Sequence, residues 1–171
     1  MIEHRLIERM ITAVTNESKR IEGGGEPDLS FLEGGIDFFR TYADRCHHGK
    51  EEDILFVKLA QKSMSPPMKQ AMQRLKEEHA TARSLVNELT VLTGRCRAGD
   101  EQAAKGIART LATITRLYPD HIAREDKEFF PTAMTYLDKD EREEMLRQFD
   151  EFDRAVIHEK YKEYVEGVEK R

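Results

Sequence analysis

Apolar residues recur along this chain at helical spacing in four long stretches. Leu6, Ile7, Met10, Ile11 and Val14 mark the first, expected to run from Ile2 to about Ile21. Gly23-Gly24-Gly25-Glu26-Pro27 breaks it, and Asp28 suits the N-cap of the next helix. In the second stretch Leu32, Ile36, Phe39, Ala43, His47, Glu51, Ile54, Leu55 and Leu59 trace one face toward Met64. Gly34, Gly35 and Gly49 weaken that helix; Gly49 alone costs about 1 kcal/mol relative to Ala. A glycine held mid-helix points to close packing against its backbone. Ser65-Pro66-Pro67 reads as an N-cap with proline in the first turn. Met68, Met72, Leu75, His79, Ala82, Leu85 and Val86 then share a face, until Ala98-Gly99-Asp100 closes the third helix near Cys96. The fourth starts near Glu101 and carries Ile107, Leu111, Ile114, Leu117, Tyr118, His121 and Glu125 toward Phe130. Pro119 predicts a kink or a fresh helical start just before His121, and Pro131 a second end or kink.

Short connections between long amphipathic helices favour antiparallel neighbours. The expected fold is all-α, an up-down-up-down four-helix bundle over about residues 1–135 with a short C-terminal helical extension over about 136–171. Acids at Asp138, Asp140 and Glu141 suit a helix N-terminus there. Met145, Phe149, Phe152, Val156, Tyr161 and Val165 are expected to cap one end of the bundle. No stretch reads as an interdomain linker, so all 171 residues are expected to form one domain.

Composition agrees: 36% of residues are charged and Trp is absent. The net charge of −5, with no basic face, argues against nucleic acid. No apolar run has membrane-spanning length, and Met1-Ile2-Glu3-His4-Arg5 lacks a signal-peptide layout, so a cytoplasmic protein is expected. Cys46 and Cys96 fit neither a zinc knuckle nor a disulfide framework and read as reduced thiols. Cys46 adjoins His47 but points about 100° around the helix from it, which argues against a shared role.

The chemistry lies in a repeat. His47-His48-Gly49-Lys50-Glu51-Glu52-Asp53-Ile54-Leu55-Phe56 aligns with His121-Ile122-Ala123-Arg124-Glu125-Asp126-Lys127-Glu128-Phe129-Phe130. Each copy places Glu four residues after His and an apolar pair four and five residues after that Glu. Residues four apart on a helix share a face. A carboxylate on an apolar face is costly without a cation, and a buried metal pair supplies one. Glu3-His4 and Glu78-His79 form a weaker echo on the other two helices. His4 and His79 taken singly read as solvated; their case rests on completing a site with one imidazole from each helix. Imidazole and carboxylate suit iron, with zinc or manganese less favoured.

Some neighbours compete. His48 and Glu52 are also four apart, but Ile122 stands where His48 does in the other copy, which favours His47 with Glu51. Asp126 competes with Glu125, and the same alignment favours Glu125. His48, Glu52 and Asp126 are expected at the rim or as hydrogen-bond partners of the ligands. His158 carries no motif and is expected at the surface, the alternative being a supplementary ligand from the last helix.

With these residues in view, the chain resembles the hemerythrin-like family, in the branch described by its HHE cation-binding motif. The resemblance rests on the two repeat copies, with Phe129-Phe130-Pro131, and on Glu3-His4 and Glu78-His79. It implies a di-iron centre of two non-haem irons with a bridging oxygen. His4 and His47 would bind one iron, His79 and His121 the other, and Glu51 and Glu125 would bridge them. The oxygen carriers of the family place two His four apart on the third helix, whereas Leu75 and Arg83 flank His79 here. They also bridge through an Asp five residues after the fourth-helix His, the spacing of Asp126. One histidine is therefore missing from the pattern. The implied function is binding or sensing of a small diatomic ligand, oxygen or nitric oxide. The alternatives are a di-iron oxidoreductase handling peroxide or nitric oxide or repairing iron centres, with Tyr42 or Tyr118 moving a proton or electron, and a helical interaction module with a structural metal. Neither the physiological ligand nor the oligomeric state is written in these residues.

Overall fold

The computed structural model describes residues 2–154 and 157–170, and every described element is helical. Helix α1 is Ile2–Glu22. Helix α2 occupies residues 29–60, as α-helix in Leu29–Phe38 and Phe56–Ala60 with π-helical turns over Phe39–His48 and Glu51–Leu55. Helix α3 is Pro66–Arg97. Helix α4 occupies residues 101–133: α-helix over Glu101–Arg124, a π turn over Glu125–Phe129, and a last α turn over Phe130–Ala133. Helices α5, Lys139–Phe152, and α6, Ile157–Glu169, follow. No helix among the described residues is long and apolar enough to cross a membrane.

Local chemistry sets the boundaries. Asp28 accepts the Phe31 N–H at 2.9 Å and Ser65 accepts the Met68 N–H at 3.4 Å, so both expected N-caps are in place. Asp100 caps α4, and Asp138 with Glu141 forms a capping box on α5. The α-helix runs through Pro119 without a fresh start; the change to π geometry falls later, at Glu125. Pro131 stands in the first turn of the last segment, after which the chain leaves α geometry for a 3-10 turn at Met134–Tyr136.

Side-chain pairs give the directions. Glu3 meets His47 while Met10 meets Gly35, so α1 and α2 are antiparallel. Arg40 meets Asn87 while Glu52 meets His79, which makes α2 and α3 antiparallel. Glu78 meets His121 while Leu92 covers Gly106, and His4 meets Asp126 while Ser18 bonds the Ala108 carbonyl. The four helices thus close an up-down-up-down bundle.

The apolar interior is in two parts. One cluster holds Met10, Phe38, Phe39, Tyr42, Leu89, Ile107 and Ile114; the other holds Leu55, Phe56, Leu59, Met68, Leu75, Phe129 and Ala133. The two C-terminal helices divide between these clusters. Met145 and Phe149 of α5 join the second, while Tyr161 and Val165 of α6 join the first. The extension therefore does not cap a single end; α6 lies along α1 and α2. Val156 lies outside the described residues. Two glycines of α2 make room for the extension. A Cβ on Gly34 would lie 1.7 Å from the Tyr164 hydroxyl, and one on Gly49 would lie 3.0 Å from the Phe152 ring. The close packing expected at Gly49 is this contact.

Candidate metal centre

Between the two apolar clusters lies a polar layer. His4, His47, Glu51, His79, His121 and Glu125 are all at most 3% exposed, and they converge there from four helices. His4 Nε2 is 3.1 Å from His47 Nε2 and 3.2 Å from Glu125 Oε2. His47 Nε2 is 3.7 Å from Glu51 Oε1, whose other oxygen lies 3.3 Å from His79 Nε2. Glu125 Oε1 is 3.2 Å from His121 Nε2 and 3.8 Å from His79 Nε2. Two pockets result, one of His4, His47, Glu51 and Glu125 and one of Glu51, His79, His121 and Glu125. The two carboxylates belong to both.

These groups fit cations better than they fit each other. Neither oxygen of Glu51 or Glu125 makes a hydrogen bond, nor does Nε2 of His48, His79 or His121. Leaving a buried polar atom unpaired costs about 1–3 kcal/mol, more when it is charged. Donor atoms 3 to 4 Å apart are spaced as for an ion about 2 Å from each. No thiolate takes part: Cys46 Sγ faces Asp153 at 2.7 Å, and Cys46 and Cys96 are free thiols.

The other ends of the rings follow a rule. His47 Nδ1 donates to Glu3 at 3.0 Å, and His79 Nδ1 donates to Glu52 at 2.7 Å. His121 Nδ1 donates to Glu78 at 2.9 Å, and His4 Nδ1 donates to Asp126 at 3.0 Å. So α1 supplies the acid for the α2 ring, α2 for α3, α3 for α4, and α4 for α1. An acid on Nδ1 fixes the tautomer that turns the Nε2 lone pair inward and raises ring basicity. Glu52 and Asp126 therefore hydrogen-bond the convergent imidazoles, one of the two places expected for them. Asp126 takes this outer place and not a bridging one.

The repeat's apolar pair has a matching use. Phe56 stacks 6.1 Å from His79, and Phe130 stacks 6.0 Å from His4. Each copy thus gives a ring and a carboxylate to the centre, then an acid and a phenyl face to the histidine of an adjacent helix. The π turns Glu51–Leu55 and Glu125–Phe129 begin at the shared carboxylates in both copies. Such turns recur at functional sites.

Protons respond to this field. Burial pulls the His79 imidazole down, but Glu125, Glu51 and Glu52 outweigh it and hold its pKa at about 11. Burial likewise opposes protonation of His47, and Glu51, Glu3 and Glu125 raise it. Burial would raise Glu125, yet His4, His79, His121 and His47 hold it well below the usual range. Burial works the same way on Glu3 and Glu78, but their histidine and cationic partners hold each at about 2. Glu52 is also at about 2, chiefly through His79 and despite burial. The layer is built to hold positive charge.

One residue differs from expectation. His48 is not at the rim: it is 1% exposed, with its ring stacked 3.9 Å from that of His79. An α-helix would turn consecutive residues about 100° apart. The wider π turn over Phe39–His48 packs more residues into each turn and brings His47 and His48 to the interior together. His158 is partly exposed, as expected, but it is engaged. It bonds the Tyr42 hydroxyl at 2.9 Å and lies 3.0 Å from Asp153. Sequence reasoning passed over Lys50, which is buried and ion-paired to Glu3 and Asp153. Its four-residue offset from Cys46 was the available signal.

The chain matches the family described as Hemerythrin HHE cation binding domain over residues 1–133. Relatives from Mycobacterium tuberculosis (strain H37Rv) and Mycobacterium bovis, both described only as uncharacterized proteins, are 23% identical over 151 residues. That overlap is 88% of this chain and 58% of each relative, so the chain spans little more than half the length of the curated relatives it matches. No solved structure matches it.

Proposed function

This chain belongs to the hemerythrin HHE cation-binding family, and on that premise we propose that it carries a di-iron centre that binds or senses a small ligand such as oxygen or nitric oxide. His4 and His47 would hold one iron and His79 and His121 the other, with Glu51 and Glu125 available to both. The observation that carries this reading is the pair of buried carboxylates, each reaching imidazoles of both pockets and neither hydrogen-bonded. Mixed imidazole and carboxylate donors without thiolate favour iron over zinc; manganese is the nearer competitor. Bound iron would supply redox chemistry and affinity for a diatomic ligand. The protein orients the rings through the outer acids and keeps bulk water out with Phe56 and Phe130.

Metal analysis of freshly purified protein tests this, followed by anaerobic reduction and titration with oxygen or nitric oxide. Two irons per chain and one stoichiometric spectral change are expected. Zinc in place of iron, or an iron-loaded protein silent to both gases, overturns it.

A second reading, an oxidoreductase, is favoured by one specific connection. Tyr42 bonds partly exposed His158, His158 lies 3.5 Å from Glu3, and Glu3 accepts from His47. This links the surface to the centre through groups that exchange protons. Repeated turnover of peroxide or nitric oxide, slowed in His158→Ala, decides for it; a single equivalent consumed decides against it.

A further inference from the structure

We propose that a cleft between α2 and α3, closed on its inner side by Tyr118 of α4, binds a small aromatic carboxylate. The cleft has a volume of about 270 Å³, just short of the range for drug-sized ligands. Three guanidinium groups line it, from Arg40, Arg45 and Arg83, against one acid, Asp44. Arg83 already holds that acid at 2.7 Å, and Glu52 at 2.8 Å. The other two cations are not neutralised. Arg40 donates only to the Asn87 side-chain oxygen, at 3.1 Å, and Arg45 meets no partner among the described residues. The cleft therefore carries positive charge in surplus.

Tyr118 is the second, independent observation. It is 2% exposed, yet its hydroxyl meets no hydrogen-bond partner among the described residues. Burial and the charge of Asp44 push its pKa up against the pull of Arg83, so the phenol keeps its proton and remains a donor without an acceptor. A tyrosine kept only for its ring would be served by Phe, with no buried polar group to satisfy. Its ring packs 5.2 Å from that of Phe39, and these rings, with Ala82 and Val86, supply the apolar wall of the cleft. Guanidinium forks fit carboxylate oxygens in pairs. A neutral ligand would leave the surplus charge unmatched, and a bare inorganic ion would leave the apolar wall wet. A carboxylate on an aromatic body satisfies the arginines, the phenol and the wall together. The site needs no metal. Tyr118 and Ala82 also border a narrow hollow against His79 and His121, so the bound anion would stand one side chain away from the polar layer.

Calorimetric titration of the whole protein with benzoate tests this, with acetate and nitrate as comparison anions. One benzoate per chain is expected, held more tightly than either of the other two. Tyr118→Phe removes a hydrogen bond to a charged group and should weaken benzoate binding at least about 10-fold. The double variant Arg40→Glu with Arg45→Glu, changed only at exposed positions, should weaken it at least as much and keep the metal content of wild type. No saturable binding, or equal affinity for acetate or nitrate, overturns the proposal. So does an affinity that both variants leave unchanged, which would put benzoate elsewhere, a bound metal included. If Tyr118→Phe does not fold, the arginine pair decides.

Discussion

Replacing Glu125 by Gln separates a metal carboxylate from a structural one. Glu125 is fully buried and lies 3.2 Å from imidazoles of both pockets, His4 and His121. Gln keeps the shape and removes the charge. With metal bound, one buried cationic charge then lacks its counterion, which costs about 3–5 kcal/mol. That weakens metal affinity by roughly two to three and a half orders of magnitude. For a chain of this size each kcal/mol shifts the melting temperature by about 2–4 °C, so the loaded variant should melt on the order of 10 °C lower. In chelator-treated protein the same change should do little. A histidine that loses its carboxylate sheds its proton, while a metal ion has no such escape. Scanning calorimetry of both proteins, loaded and chelated, at pH 8 reads the difference. An equal drop in chelated protein would refute the reasoning, because it would make Glu125 a structural residue.

Lys50→Met should cost about 3–5 kcal/mol in denaturant unfolding, since Glu3 and Asp153 lose their buried cation; a cost below about 1 kcal/mol would deny that role. Gly34→Ala should expose α6 to limited proteolysis, because the new methyl takes the place of the Tyr164 hydroxyl; adding it to Tyr164→Ala should then have no further effect. Chelated protein should lose stability in acid, through the depressed carboxylates and through His48, which burial and neighbouring imidazoles hold well below its ordinary value, and in alkali through His79. Glu52 and Glu78, depressed to about 2, stabilise above their ordinary 4.5, and that contribution is lost as pH falls through 2. His79, raised to about 11, stabilises fully below its ordinary 6.5 and loses that contribution as pH rises through 11. Unfolding midpoints that stay flat across either range would contradict the assigned partners.

Much of this was legible in the residues. Helical periodicity and cap chemistry located the bundle helices, with Asp28 and Ser65 at the expected caps. The repeat picks out four side chains and its weaker echo two more, and the fold brings the six together. What escaped depended on geometry that periodicity does not encode. The alignment sets His48 aside because Ile122 holds its place in the other copy, and nothing in the apolar pattern announces a π turn. Glu3 and Glu78 stand beside His4 and His79 in sequence, yet each serves a ring on another helix, since helical neighbours face different ways. The apolar faces of α5 and α6 were visible, but amphipathicity says that a face is buried, not against which cluster.

The chain of acids and imidazoles has no loose end. Sliding any one helix along its neighbours by a turn would break the contact it gives and the contact it receives, so each registry error is penalised twice. Four rods of such highly charged sequence could pair at many offsets on greasy contacts alone. Closure leaves one alignment satisfied, and the polar layer thus works as a vernier for the whole bundle.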